Sequence, residues 1–190
     1  TSNPVHHYGA EGTYTVSLSD SNICGNTTVT QSVLVQLIPT AGFTTATSTV
    51  CQGAHIQFND NSSPSVNSWL WTFEGGNPAT STLKNPIVSY GQTGSYDVSL
   101  TVSNNSGQNT TTITDYIYVI GAPSSTFTGT VSNNTITLSN SNASANSSIW
   151  TIFNGNTSTT LTGDLVTFTA PTNGDYGVYL TNANECGQTQ

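Results

Sequence analysis

Apolar and polar residues alternate over short stretches along most of the chain. Tyr96, Val98, Leu100 and Val102 are separated by Asp97, Ser99, Thr101 and Ser103. That period of two predicts a strand with one face in a core and one face in water. Ile56-Gln57-Phe58 and Trp69-Leu70-Trp71-Thr72-Phe73 follow the same rule. Turn-forming clusters separate the runs: Asn59 to Pro64, Gly75-Gly76-Asn77-Pro78, Asn104-Asn105-Ser106-Gly107 and Asn154-Gly155. No stretch combines a helical period with caps. The pattern is all-β, with about six or seven short strands in roughly 80 residues, as in a two-sheet sandwich.

The pattern also recurs. Asn3-Pro4-Val5, Tyr8-Gly9 and Gly12-x-Tyr14-x-Val16-x-Leu18 return as Asn85-Pro86-Ile87, Tyr90-Gly91 and Gly94-x-Tyr96-x-Val98-x-Leu100. A third copy reads Gly174-x-Tyr176-x-Val178-x-Leu180. Upstream, Ile56-x-Phe58 matches Ile136-x-Leu138, and Trp71-Thr72-Phe73 matches Trp150-Thr151-Ile152. The expected organisation is the second half of a first repeat (1–39), a complete second repeat (40–121) and a third repeat lacking its last strand (122–190). Linkers are expected near Pro39-Thr40 and Gly121-Ala122. Ends that cut through repeats lead us to expect a segment of a longer repetitive chain. Gly12, Gly94 and Gly174 are expected to turn the chain into the penultimate strand of each repeat. Tyr14, Tyr96 and Tyr176 would begin that strand with the ring buried and the hydroxyl bonded back to the preceding loop, a tyrosine corner. Trp71 and Trp150 are the expected core anchors facing it.

Composition narrows the partners. Charged residues are 5% of the 190, where about 25% is usual. Lys84 is the only Lys or Arg, and the net charge is −8. Such a chain cannot neutralise a phosphate backbone or an anionic membrane surface, which excludes nucleic acid and lipid headgroups. No apolar run is long enough for a membrane helix. Thr, Ser and Asn number 35, 25 and 21, so Asn-x-Ser/Thr sequons such as Asn26, Asn61 and Asn109 arise from composition. Soluble β proteins guard their sheet edges with Lys and other charges. Their scarcity here predicts either edges covered by neighbours, in a homo-oligomer or a laterally associated fibre, or a setting where salt screens charge anyway. The other reading is a composition bias without structural purpose.

Catalytic motifs are absent from the sequence. It has no Gly-x-Ser-x-Gly elbow, no His-Glu-x-x-His and no phosphate-cradling loop ending in Lys. His6 and His7 are adjacent on an expected strand and so point to opposite faces; His55 stands alone on another. The acids Glu11, Asp20, Asp60, Glu74, Asp97, Asp115, Asp164, Asp175 and Glu185 are scattered. No cofactor is expected; calcium held by loop acids and carbonyls at repeat junctions is the one metal candidate. The other reading of these acids is that they keep a nearly uncharged surface soluble.

Three motifs of the second repeat together resemble the PKD repeat, an immunoglobulin-like β-sandwich. They are Trp71-Thr72-Phe73-Glu74-Gly75-Gly76, Asn85-Pro86-Ile87-Val88-Ser89-Tyr90 and Gly94 to Leu100. Cys51-Gln52-Gly53 and residues 75–82 are similar to variants in large secreted or surface adhesins and filaments of Bacteroidota. The third repeat has Ile152-Phe153-Asn154-Gly155 and lacks Asn-Pro. The resemblance implies tandem sandwiches stacked end to end. It also implies a non-catalytic structural or adhesive role in an extracellular stalk or surface fibre. The alternative is an accessory carbohydrate- or protein-binding array of a secreted hydrolase.

In the topology that the resemblance implies, Cys24 and Cys186 occupy one position, the turn between the last two strands, where the second repeat has Ser106. Cys51 stands just before the second strand of its repeat. These two places lie at opposite ends of a sandwich, about 20 Å apart for a six-residue strand, whereas a disulfide needs Cα atoms within about 7 Å. End-to-end stacking would bring Cys51 beside Cys186. The expectation is a Cys51–Cys186 disulfide stapling repeats 2 and 3 in an oxidising setting. Cys24 would pair with a preceding repeat outside residues 1–190. The alternative is three free thiols.

Overall fold

The computed structural model describes residues 3–142 and 145–190. Among them every regular element is a strand. The first two, β1 (Gly12–Asn22) and β2 (Gly25–Val35), form an antiparallel hairpin closed by Asn22 opposite Gly25. Its apolar row, Tyr14, Val16 and Leu18 across from Val33 and Val29, faces no second sheet among the described residues. Val16 and Leu18 are accordingly 46% and 72% exposed.

A complete sandwich follows. Its first sheet joins β3 (Phe43–Thr45), β5 (His55–Asp60), β9 (Ile87–Tyr90) and β7 (Gly76–Asn77). The second has the order β4-β11-β10-β6-β8, from β4 (Thr49–Cys51), β6 (Ser68–Phe73), β8 (Thr80–Ser81), β10 (Gly94–Asn104) and β11 (Gly107–Ile120). Beside the expected count of short strands, β10 and β11 run to 11 and 14 residues. Phe43, Ile56, Phe58 and Val88 from one sheet meet Trp71, Phe73, Val98, Leu100, Val102 and Ile117 from the other in a single core. The rows that alternate in sequence are those that point inward. Val98, Leu100 and Val102 sit opposite Phe73, Trp71 and Trp69, and the first two are fully buried, where their counterparts Val16 and Leu18 are bare.

A second sandwich is built from β12 (Phe127–Ser132), β13 (Thr135–Asn140) and β16 (Leu165–Thr169) against β14 (Ser147–Asn154), β15 (Thr157–Thr162), β17 (Gly177–Asn184) and β18 (Gly187–Thr189). Its core holds Leu138, Val166, Trp150, Ile152 and Leu180. The last strand expected to be missing is begun by β18, which pairs with β17. Without Asn-Pro, β14 turns directly into β15 through Gly155 and Asn156. In the first sandwich the chain first crosses after β6 to pair β7 with β9 in the other sheet, and then returns as β8 beside β6.

Trp71 and Trp150 are held alike. Both are fully buried, and each indole N–H donates to a backbone carbonyl, Trp71 to Leu83 at 2.9 Å and Trp150 to Gly163 at 2.7 Å. The polar atom of the largest core side chain thus keeps a partner out of water. The second sandwich is less apolar than the first. At the positions of Val102 and Trp69 it carries Asn182 and Ser148, both buried. Asn140 Nδ2 donates to Asn182 Oδ1 and Ser148 Oγ, and Asn182 Nδ2 donates to Ser124 O at 2.6 Å.

Trp71→Ala should cost about 3–5 kcal/mol, the range for emptying an aromatic core site, read from urea unfolding. Tyr90 gives a subtler test. Its hydroxyl is buried with no hydrogen-bond partner among the described residues. Burial, with Tyr96 adding to it, raises its pKa above the ordinary tyrosine value. A raised pKa means that the stability from keeping this phenol neutral is complete below about pH 10 and is lost as pH rises past it. Tyr90→Phe should therefore stabilise by about 1 kcal/mol. It should also flatten the loss of stability above about pH 10 in chemical denaturation.

Candidate functional site: the disulfide junction

The junction starts from two short pieces of local structure. One is β4, which runs parallel to the end of β11, with Val50 beside Val119 and Cys51 beside Ile120. Gln52 N–H donates to Ile120 O at 2.8 Å, and the turn is closed by Ala54 N–H donating to Cys51 O. Gly53 supplies the positive φ of +80° that this turn requires. The other piece is the two-residue loop between β17 and β18, closed by Asn184 opposite Gly187. Cys186 N–H donates to Asn184 Oδ1 at 2.8 Å, an Asx turn that fixes the loop.

These pieces meet where the chain passes from the first sandwich to the second. Asn184 Nδ2 donates to Gly121 O at 2.9 Å, and Thr189 Oγ1 donates to Pro123 O at 3.1 Å. Cys186 Sγ lies 3.7 Å from Ile120 O. Cys51 and Cys186 are bonded, with S–S 2.04 Å and Cα atoms 5.4 Å apart. The bond therefore ties the entering edge of the first sandwich to the last hairpin of the second.

The same turn occurs at the start of the first sandwich. There Ser106 N–H donates to Asn104 Oδ1, Asn104 Nδ2 donates to Leu37 O, and Ser106 Oγ donates to Gln36 O. The last two bonds serve the carbonyls of an incoming connection, as at Gly121. Asn22 and Cys24 form the third copy, with Cys24 N–H donating to Asn22 Oδ1. Cys24 is exposed and unpaired. Sequence reading placed Asn104 in a turn but missed the Asx turns of Asn22, Asn104 and Asn184, although they recur at the spacing of the Gly-x-Tyr units.

The three tyrosines form matching corners. Tyr14, Tyr96 and Tyr176 donate to Ala10 O, Gln92 O and Thr172 O at 3.0, 2.9 and 3.0 Å. Their rings are half-buried rather than buried, each against an aromatic neighbour: Tyr8, Tyr90 and Phe168. Gly12 and Gly94 open β1 and β10 as expected, but Gly174 and Tyr176 precede β17, which starts at Gly177. A Cβ on Gly75 would come within 2.2 Å of Tyr96 Cε1, so this corner also requires a glycine beneath its ring.

Other candidates come apart. His6 and His7 lie outside any strand, with the His6 ring against Tyr8 at 4.6 Å. His55 is exposed on β5. No group of three or more His, Cys, Asp or Glu able to hold a metal occurs among the described residues. The polar contacts at the junction come from Asn and Thr side chains and backbone carbonyls. The sole cation, Lys84, pairs with the buried Asp60 carboxylate at 3.9 Å and lies over the Trp69 ring.

Residues 36–120 match the family model of the PKD domain. Among solved structures the chain is similar to domains A168–A170 of titin, at 13% identity and TM-score 0.46, covering 95% of this chain and 71% of that one. It is also similar to carbohydrate-binding modules of the β-sandwich superfamily, at 16% identity, TM-score 0.41 and coverages of 80% and 94%. A two-domain fibronectin type III segment from chicken tenascin matches at 14% identity, TM-score 0.35 and coverages of 80% and 95%. No curated protein sequence matches the chain.

Asn184→Ala removes both the acceptor that closes the Cys186 turn and a donor to Gly121 O. It should destabilise the second sandwich by about 1–2 kcal/mol, followed by Trp150 fluorescence during denaturation in a Trp69→Phe/Trp71→Phe background.

Proposed function

We propose, taking residues 36–120 as a PKD domain, that the chain is a non-catalytic structural and adhesive segment of a long extracellular repeat protein, serving as a stalk or surface fibre. The observation that carries this reading is the Cys51–Cys186 bond, which joins a strand of one sandwich to a hairpin loop of another with its own core. A bond between cores does little for either fold alone and much for holding their relation to one another. The repeat boundaries in this reading are 1–39, 40–121 and 122–190. It is supported by the tyrosine corner and Asx turn present in all three segments. A disulfide and a PKD domain both point to an oxidising extracellular setting. Cys24, placed like Cys186 on an Asx turn, pairs in this reading with a preceding repeat. The bare face of β1–β2 is covered by the remainder of that repeat. Sheet edges almost free of charge associate laterally with other copies.

The second reading, an accessory carbohydrate- or protein-binding array, draws on one observation. Tyr179, 51% exposed, stacks on Phe153 at 5.1 Å on the outer face of the second sandwich. Phe153 also covers the bare backbone of Gly177, which accounts for the pair as sheet packing.

Small-angle scattering tests the stalk. Three units of about 37 Å, the length of an 11-residue strand, give a rod with a radius of gyration near roughly 30 Å, against about 16 Å for a compact globule of this size. A value near the globule's would remove the stalk reading.

A further inference from the structure

Cys51 and Cys186 are 135 positions apart in sequence. A pull on the two ends of a cross-linked chain is carried by the shortest covalent route between them. Here that route follows the backbone to Cys51, crosses the disulfide and resumes at Cys186. We infer that the Cys51–Cys186 bond is a force bypass: tension along the chain skips residues 52–185, which are not loaded. The inference rests on the stalk reading for its biological use.

The bypass encloses nearly everything that holds the two folds together. Every buried residue of both cores except Phe43 lies within it. So do all three tryptophans and the complete β5–β17 run. Outside it are the β1–β2 hairpin, β3, most of β4 and the three residues of β18.

The position of the bond explains what it prevents. Without it, tension would enter the second sheet of the first sandwich through β4 and leave through β11. These strands are parallel neighbours, joined by Tyr118 N–H to Ser48 O and Gln52 N–H to Ile120 O, each 2.8 Å. Pulling them from opposite ends loads those few bonds in shear, and their failure opens the sheet edge. Cys51 is the last residue of β4, beside Ile120 at the exit of β11. The disulfide therefore takes the load off the backbone where the chain would otherwise carry it into β5 and the core. It delivers that load to Cys186, at the tip of the final hairpin of the second sandwich. Reduction returns both sandwiches to the load path, so the thiol state sets how far the chain extends under tension.

The test is single-molecule stretching of the folded chain by handles ligated to its two termini, in a Cys24→Ser background that prevents disulfide exchange. Oxidised, the chain should release at most roughly 200 Å of contour length, from the residues outside the bypass. With dithiothreitol, or in C51S/C186S, unfolding should release roughly 450–490 Å more, the length of 135 extended residues. Should the double variant fail to fold, reductant added to an oxidised molecule already under load gives the same comparison. Release of the full length by oxidised molecules, or no added length after reduction, would overturn the bypass. Scattering that returns a compact particle, with the bypass intact, would remove the stalk and leave this mechanics standing.

Discussion

Each sandwich is organised by one tryptophan buried between two sheets. An indole is too large for one sheet to cover, so Trp71 and Trp150 impose the second layer. Strands β10 and β17 then lie beside the tryptophan strands, and their alternating aliphatics close the core from the same sheet. The β1–β2 hairpin shows the converse. It carries the same penultimate-strand motif and corner, but among the described residues no tryptophan strand lies beside it and its aliphatics are exposed.

The scarcity of charge shapes the remaining contacts. Only one ion pair, Lys84 with Asp60, occurs among the described residues. Connections and junctions are instead held by neutral donors on backbone carbonyls: the corner tyrosines on their loops, and Asn104 and Asn184 on Leu37 and Gly121. Such bonds are short-ranged and directional, and salt screens them far less than it screens exposed charge pairs. They orient one element on another without adding much adhesion. The covalent bond at Cys51 supplies a strength that a few neutral hydrogen bonds cannot.

The two complete cores show how far the pattern tolerates substitution. Asn182 and Ser148 stand where the first sandwich has Val102 and Trp69, and the sheet forms all the same. The exchange is tolerated because Asn140 and the Ser124 carbonyl satisfy the buried amide. A binary pattern read along the strand would place an apolar residue there. The network that permits asparagine comes from β13 and a loop far away in sequence.

The chain's own residues determined the all-β class, the inward rows, both tryptophan anchors and the three corners, because each rests on a period of two or on a contact four residues away. The pairing of Cys51 with Cys186 was legible only through the topology implied by resemblance, since nothing local distinguishes those cysteines from Cys24. Tertiary structure alone decided the rest. It left the corner tyrosines half-buried, took His6 and His7 out of any strand and sent β7 across to the opposite sheet while β15 stayed beside β14. It also turned two ordinary-looking asparagines, Asn104 and Asn184, into junction contacts. Each of these outcomes depends on which distant carbonyl, ring or strand edge arrives beside the residue, and local alternation carries no information about that.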